Sequence, residues 1–186
     1  MSTKIIVLGD NTVGKTSIIK RFCFPFDKPK TQKTIGIECT SRIVHFNDTV
    51  YKIQFWDVAG GTEWIGLYPN YIKNSDIALV VYDVSNKESF FSIKKWIEMI
   101  RYHNGTKFPV VVIANKIDKE SSRVVDHQSY KVYTENFNEN VFLIETNTVE
   151  RKGCDHALKC ILSLLHPKEV KTMSVQKKSW YNKWFG

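Results

Sequence analysis

Eight residues, Gly9-Asp10-Asn11-Thr12-Val13-Gly14-Lys15-Thr16, have the form G-x-x-x-x-G-K-T. Directly before them, Ile5-Ile6-Val7-Leu8 is a short apolar run that suits a buried strand. Directly after them, Ile18, Ile19 and Phe22 recur at helical spacing. Strand, glycine-containing loop and helix, in that order, make a phosphate cradle. The glycines let successive backbone N–H groups converge on phosphate oxygens, and the helix N-terminus adds partial positive charge. The expected phosphate site is Asn11, Thr12, Val13 and Gly14 with Lys15, Thr16 and Ser17. Lys15 would reach the outer phosphates, and the Thr16 hydroxyl can bind Mg²⁺.

Outward from this unit, Ile43 and Phe46, then Val50, Ile53 and Phe55, fit two strands, with Asn47-Asp48-Thr49 as the hairpin turn. Ile77 to Tyr82 and Val110 to Ala114 are continuous apolar runs, the pattern of strands buried on both faces. Between them Phe90, Ile93, Ile97 and Ile100 form one helical stripe, and Ser85 with Glu88 has the spacing of a capping box. Val141 to Ile144 reads as a further strand. Ala157, Ile161, Leu164 and Leu165 mark a last helix, stopped by Pro167. Strands alternating with helices predict an α/β fold with a mainly parallel sheet.

A phosphate loop alone leaves ATP-using enzymes open. Asn115-Lys116-Ile117-Asp118 follows the run Val110 to Ala114 and narrows the choice. The Asp118 carboxylate can accept from N1–H and the exocyclic amine of guanine, whereas adenine has no such donor pair. A site built for that pair rejects adenine because its polar groups would stay unpaired. Asp57 ends the run Tyr51 to Trp56, where a carboxylate would face the metal, usually through water. Gly60, three residues on, would give its N–H to the γ-phosphate.

The bulk numbers fit one domain of ordinary composition. There are 186 residues, 42% hydrophobic and 25% charged. No apolar run reaches the roughly 18 residues a membrane span needs. Met1-Ser2-Thr3-Lys4 passes straight into a strand-like run, so no signal peptide is expected, and the expected location is the cytoplasm. Cys23, Cys39, Cys154 and Cys160 are scattered, without CxxC spacing, which argues against zinc and for reduced thiols. Of the net charge of +8, residues 167–186 supply +4 through five lysines and one glutamate. The body is only mildly basic, and no nucleic-acid partner is expected.

Taken together these motifs resemble the Ras-superfamily GTPases over residues 3 to about 166, and within them most nearly the Rab family. The marks are Thr34-Ile35-Gly36-Ile37-Glu38, Gln54-Phe55-Trp56-Asp57-Val58-Ala59-Gly60 and Leu79-Val80-Val81-Tyr82-Asp83. The resemblance implies the small-GTPase P-loop fold: a six-stranded, mainly parallel sheet with one antiparallel strand and helices on both faces. It implies a domain over 1–166, with 167–186 as a basic-aromatic tail or linker. It implies GTP or GDP with Mg²⁺ as ligands, the metal held by Thr16, Thr34 and Asp57. Lys116 would lie along the base, Asn115 would brace the phosphate loop, and Asn147 and Thr148 would supply the third base-contacting motif. Effectors, exchange factors and activating proteins would bind residues 26–38 and 58–72, in vesicle traffic.

The chain departs from that pattern in places. Gly61 stands where the family has the glutamine that orients the attacking water, so slow GTP hydrolysis is expected. A guanine-nucleotide-binding module without catalysis is the alternative. Asp27 replaces the aromatic that packs on guanine, with Phe24 and Phe26 as candidates to substitute, and Thr31 replaces a tyrosine of switch I. Thr12 replaces a small residue of the phosphate loop. No cysteine follows Cys160, so prenylation of this chain is not expected. Lysines and aromatics of the tail offer peripheral contact with endomembranes as an alternative to a plain linker. In this fold Cys23 and Cys39 bracket switch I, either as two small apolar residues or as a disulfide.

Overall fold

The structure, a computed structural model, describes residues 1–27, 34–46, 48–126, 129, 133 and 140–165, leaving aside the side chains at 62, 63 and 65. Six strands form one sheet: β1 (Ser2–Leu8), β2 (Ile37–Phe46), β3 (Thr49–Val58), β4 (Ile77–Asp83), β5 (Val110–Asn115) and β6 (Val141–Thr146). Their spatial order is β2-β3-β1-β4-β5-β6. β2 and β3 are antiparallel, and the other neighbouring pairs are parallel. Among the described residues, the α-helices with defined bounds are α1 (Lys15–Cys23), α2 (Tyr68–Ile72), α3 (Lys87–Asn104) and α4 (Cys154–Leu164), with a 3₁₀ turn over Thr62–Leu67 leading into α2. The expected sheet, with its single antiparallel pair, is therefore the observed one.

Alternation along the strands feeds two cores. Ile5, Val7, Ile53, Phe55 and Leu79 pack on one face with Ile18, Ile19 and Phe22 of α1 and Ala157 and Ile161 of α4. Ile6, Leu8, Ala78 and Val80 pack on the other with Tyr68 and Ile72 of α2 and Phe90, Ile93, Trp96, Ile97 and Ile100 of α3. Every residue of β4 and β5 is buried, as the continuous apolar runs require.

Three local expectations change. The N-cap of α3 is Asn86, whose side chain accepts from the Ser89 N–H; Ser85 instead bonds Asp83 Oδ1. Asn and Ser compete for the same cap, and Asn86 wins because Ser85 is already spent on the carboxylate. At the hairpin, Thr49 already pairs with Phe46, so the turn is tighter than Asn47-Asp48-Thr49, and Asn47 lies outside the described residues. Asp48 takes the left-handed conformation, φ 57°, that Asp tolerates.

The four cysteines are free thiols. Cys23 sits in the core on the α1 side, whereas Cys39 lies opposite Trp56 on the other face of the sheet. A disulfide between them would have to pass through the sheet. Thr31, Pro167 and the tail 167–186 lie outside the described residues. Among those described, no helix is long and apolar enough to cross a membrane.

Candidate nucleotide site

Five parallel strands deliver their carboxyl ends to one edge of the sheet, the place where open α/β sheets bind ligands. Gly9 follows β1, Asp57 is the penultimate residue of β3, and Asp83, Asn115 and Thr146 end β4, β5 and β6. The residues singled out in the sequence are brought together here by topology.

The phosphate loop turns into α1 through Gly14, whose φ is 101°. A Cβ at Gly14 would lie 2.2 Å from Asn115 Nδ2, so both the backbone conformation and the space require glycine. Lys15 Nζ donates to the carbonyl oxygens of Gly9 at 2.9 Å and Asp10 at 2.8 Å, spanning the mouth of the loop. Burial lowers its pKa to about 8, against the pull of Asp57 and Asp10. Thr12 is held at φ 63°. That is a strained conformation for a β-branched residue, so the cost of replacing a small residue at Thr12 falls on its backbone.

At the metal corner, Thr16 and Asp57 are hydrogen-bonded, Thr34 Oγ1 lies 2.8 Å from Thr16 Oγ1, and Thr34 donates to Asp57 Oδ2 at 3.1 Å. Asp57 is 2% exposed, and its Oδ1 has no hydrogen-bond partner among the described residues. Burial raises its pKa; the Thr16 and Thr34 hydroxyls and the charge of Lys15 oppose this, and Glu38 adds to it. Three hard oxygen donors with one orphaned carboxylate oxygen fit a small oxygen-preferring dication such as Mg²⁺. Two residues beyond Thr34, the Gly36 carbonyl also accepts from the Ala59 N–H at 2.9 Å.

On the base side, Asn115 is fully buried and donates from Nδ2 to the Val13 carbonyl at 2.9 Å, while its Oδ1 accepts from Thr146 Oγ1 at 3.1 Å. Lys116 donates to the Thr12 carbonyl at 2.7 Å and pairs with Asp83 at 2.7 Å. Burial alone would lift the Asp83 carboxyl; hydrogen bonds from Lys116 and Ser85 outweigh it and hold the pKa below the usual range. Asp118 is exposed beside them. The Asn147 side chain accepts from the N–H groups of Val149 and Glu150 and so shapes the loop after β6. Neither phenylalanine is packed away: Phe24 is 48% and Phe26 92% exposed, the latter ring 5.9 Å from the Arg151 guanidinium carbon.

Arg21 escaped the sequence reading. It is buried and donates to three carbonyls: Thr148 from Nε at 2.6 Å, Asp27 at 2.7 Å and Val149 at 2.8 Å. It thus ties the segment after α1 to the base loop. The only signal was a charge one turn from the apolar stripe of α1. Asp83 was read as a family mark, but its ion pair with Lys116 links residues 33 apart in sequence and has no local signature.

A family model described as the Ras family matches residues 4–166. The chain belongs to the Ras family. One relative is the "Ras-related protein RABA1f" of Arabidopsis thaliana, 29% identical over 163 residues, covering 88% of this chain and 74% of the relative. Ras-family proteins are GTP-binding switches, generally GTP hydrolases, that bind guanine nucleotide with Mg²⁺ and act through effectors and regulators. The membership covers both the phosphate loop and Asn115–Asp118.

Proposed function

We propose that this Ras-family chain is a Rab-like switch that holds GTP or GDP and turns GTP over slowly, in vesicle traffic. The observation that carries the binding half is the convergence of Thr16, Thr34 and Asp57 beside Lys15. Thr16 and Thr34 would hold Mg²⁺ directly and Asp57 through water, with Lys15 and the backbone of Asn11–Gly14 on the phosphates. The metal would supply charge neutralisation between the outer phosphates. Asp118, Lys116 and the loop at Asn147 and Thr148 would take the base. Rab-like traffic rests on the sequence marks and on the Rab-named relative.

Slow turnover rests on Gly61, which has no side chain to orient the attacking water. Loss of one positioned group in such a site typically lowers the rate about 10²–10³-fold. The alternative, a module that never turns GTP over, draws on the same residue and on Tyr68, whose hydroxyl donates to the Gly61 carbonyl at 2.9 Å. Single-turnover GTP hydrolysis tests both. The expected rate lies well below that of an ordinary Rab protein and rises in Gly61→Gln. A wild-type rate equal to an ordinary Rab protein's would contradict slow turnover; a rate of zero that Gly61→Gln leaves at zero would favour the module.

Residues 26–38 and 58–72 are the proposed surfaces for effectors, exchange factors and activating proteins. The proposed location is the cytoplasm, with the tail 167–186 as a peripheral contact to endomembranes.

A further inference from the structure

Tyr68 opens α2 and is the one tyrosine of that helix with no solvent exposure. Its hydroxyl reaches two carbonyl oxygens, Ala59 at 2.7 Å and Gly61 at 2.9 Å. These carbonyls flank Gly60. Its ring packs on Trp96 of α3 with centroids 5.5 Å apart. Trp96 is itself buried, and its Nε1 donates to Asp10 Oδ1 of the phosphate loop at 2.9 Å. One continuous set of contacts therefore runs from Asp10 through Trp96 and Tyr68 to the backbone around Gly60.

The Ala59 carbonyl and the Gly60 N–H belong to one planar trans peptide and point in opposite directions. Fixing the carbonyl on Tyr68 therefore fixes the N–H, aimed away from the α2–α3 core. Gly60 itself lies against the phosphate loop: a Cβ there would be 2.5 Å from the Gly9 carbonyl oxygen and 2.7 Å from the Asn11 nitrogen. The same Ala59 residue is held from the other side, its own N–H bonded to Gly36. A phenylalanine at 68 would keep the ring packing and leave both carbonyls without this donor, in a place water does not reach.

We propose that Tyr68 is a positioning residue for the third phosphate: it pre-aims the Gly60 N–H and so sets how strongly the chain prefers GTP over GDP. This rests on the nucleotide reading above. A donor whose peptide is held by Tyr68 needs less ordering when the third phosphate binds.

The test is Tyr68→Phe in the full chain with Mg²⁺, titrated with GDP and with a non-hydrolysable GTP analogue. GDP affinity should stay within about twofold while the analogue binds about tenfold more weakly; a purely structural role would move both alike. An unchanged analogue-to-GDP ratio overturns the proposal while leaving nucleotide binding intact. A wild-type chain that binds neither nucleotide overturns the functional reading as well, so the two failures differ. Amide exchange in the analogue-bound chain checks it directly: Gly60 should lose protection in Tyr68→Phe relative to wild type, and equal protection at Gly60 in the two overturns the proposal.

Discussion

Asn115 Nδ2 and the Val13 carbonyl, 102 residues apart in the chain, are joined by a buried hydrogen bond of 2.9 Å. With the Thr146 hydroxyl on Asn115 Oδ1, it fastens two strand ends, those of β5 and β6, and the phosphate loop to one amide. Asn115→Ala removes both bonds and leaves the Val13 carbonyl and the Thr146 hydroxyl without this partner. Each buried group so orphaned costs about 1–3 kcal/mol. The variant should lose about 2–6 kcal/mol of stability on that basis, read by urea unfolding, and release nucleotide faster. An unchanged midpoint would show that the amide does not brace the loop.

Lys15 makes the ligand-free site pH-dependent. Its folded pKa, about 8, lies below the ordinary 10.5, so the folded chain favours the neutral amine. Between those values the unfolded chain holds the extra proton, and the contribution of Lys15 to stability rises with pH across that window; below about 8 its burial penalty is fully present. A bound phosphate reverses the preference, so nucleotide binding should take up protons near pH 8.5 through this residue and not near pH 6.5. Calorimetry in two buffers of different ionisation enthalpy reads the uptake. Equal proton balance at both pH values would contradict it.

Much of this site was legible because its signals are local. A glycine loop between a strand and a helix, Asn115-Lys116-Ile117-Asp118 behind an apolar run, and the unbroken apolar β4 and β5 each carry their meaning within a few residues. The hydroxyl of Thr34 beside Thr16 was reachable only through the family resemblance. Arg21, Trp96 and Tyr68 were not legible: each acts on backbone carbonyls or a side chain brought near by the fold, and each fits a helix by composition alone. The α3 cap was misread for a related reason. Ser85 and Asn86 are both good caps, and what separates them is Asp83, which takes up Ser85.

Arg21 carries a consequence for nucleotide release. A guanidinium can bond three carbonyls in one plane, whereas an ammonium cannot span the same positions. Arg21→Lys should therefore keep the charge yet loosen Asp27 from Thr148 and Val149. Release of a fluorescent GDP should quicken about tenfold, equivalent to roughly 1.4 kcal/mol. A release rate equal to wild type would show that the base loop holds without the clamp.

The central claim is that the site holds a guanine nucleotide, and Asp118 is the residue on which its choice of base depends. Competition between a fluorescent GDP and unlabelled GTP or ATP, in wild type and Asp118→Ala, tests it most directly. GTP should displace the probe from wild type at stoichiometric concentrations, ATP should fail at a large excess, and Asp118→Ala should lose its grip on the probe. Displacement by ATP as readily as by GTP would contradict the account.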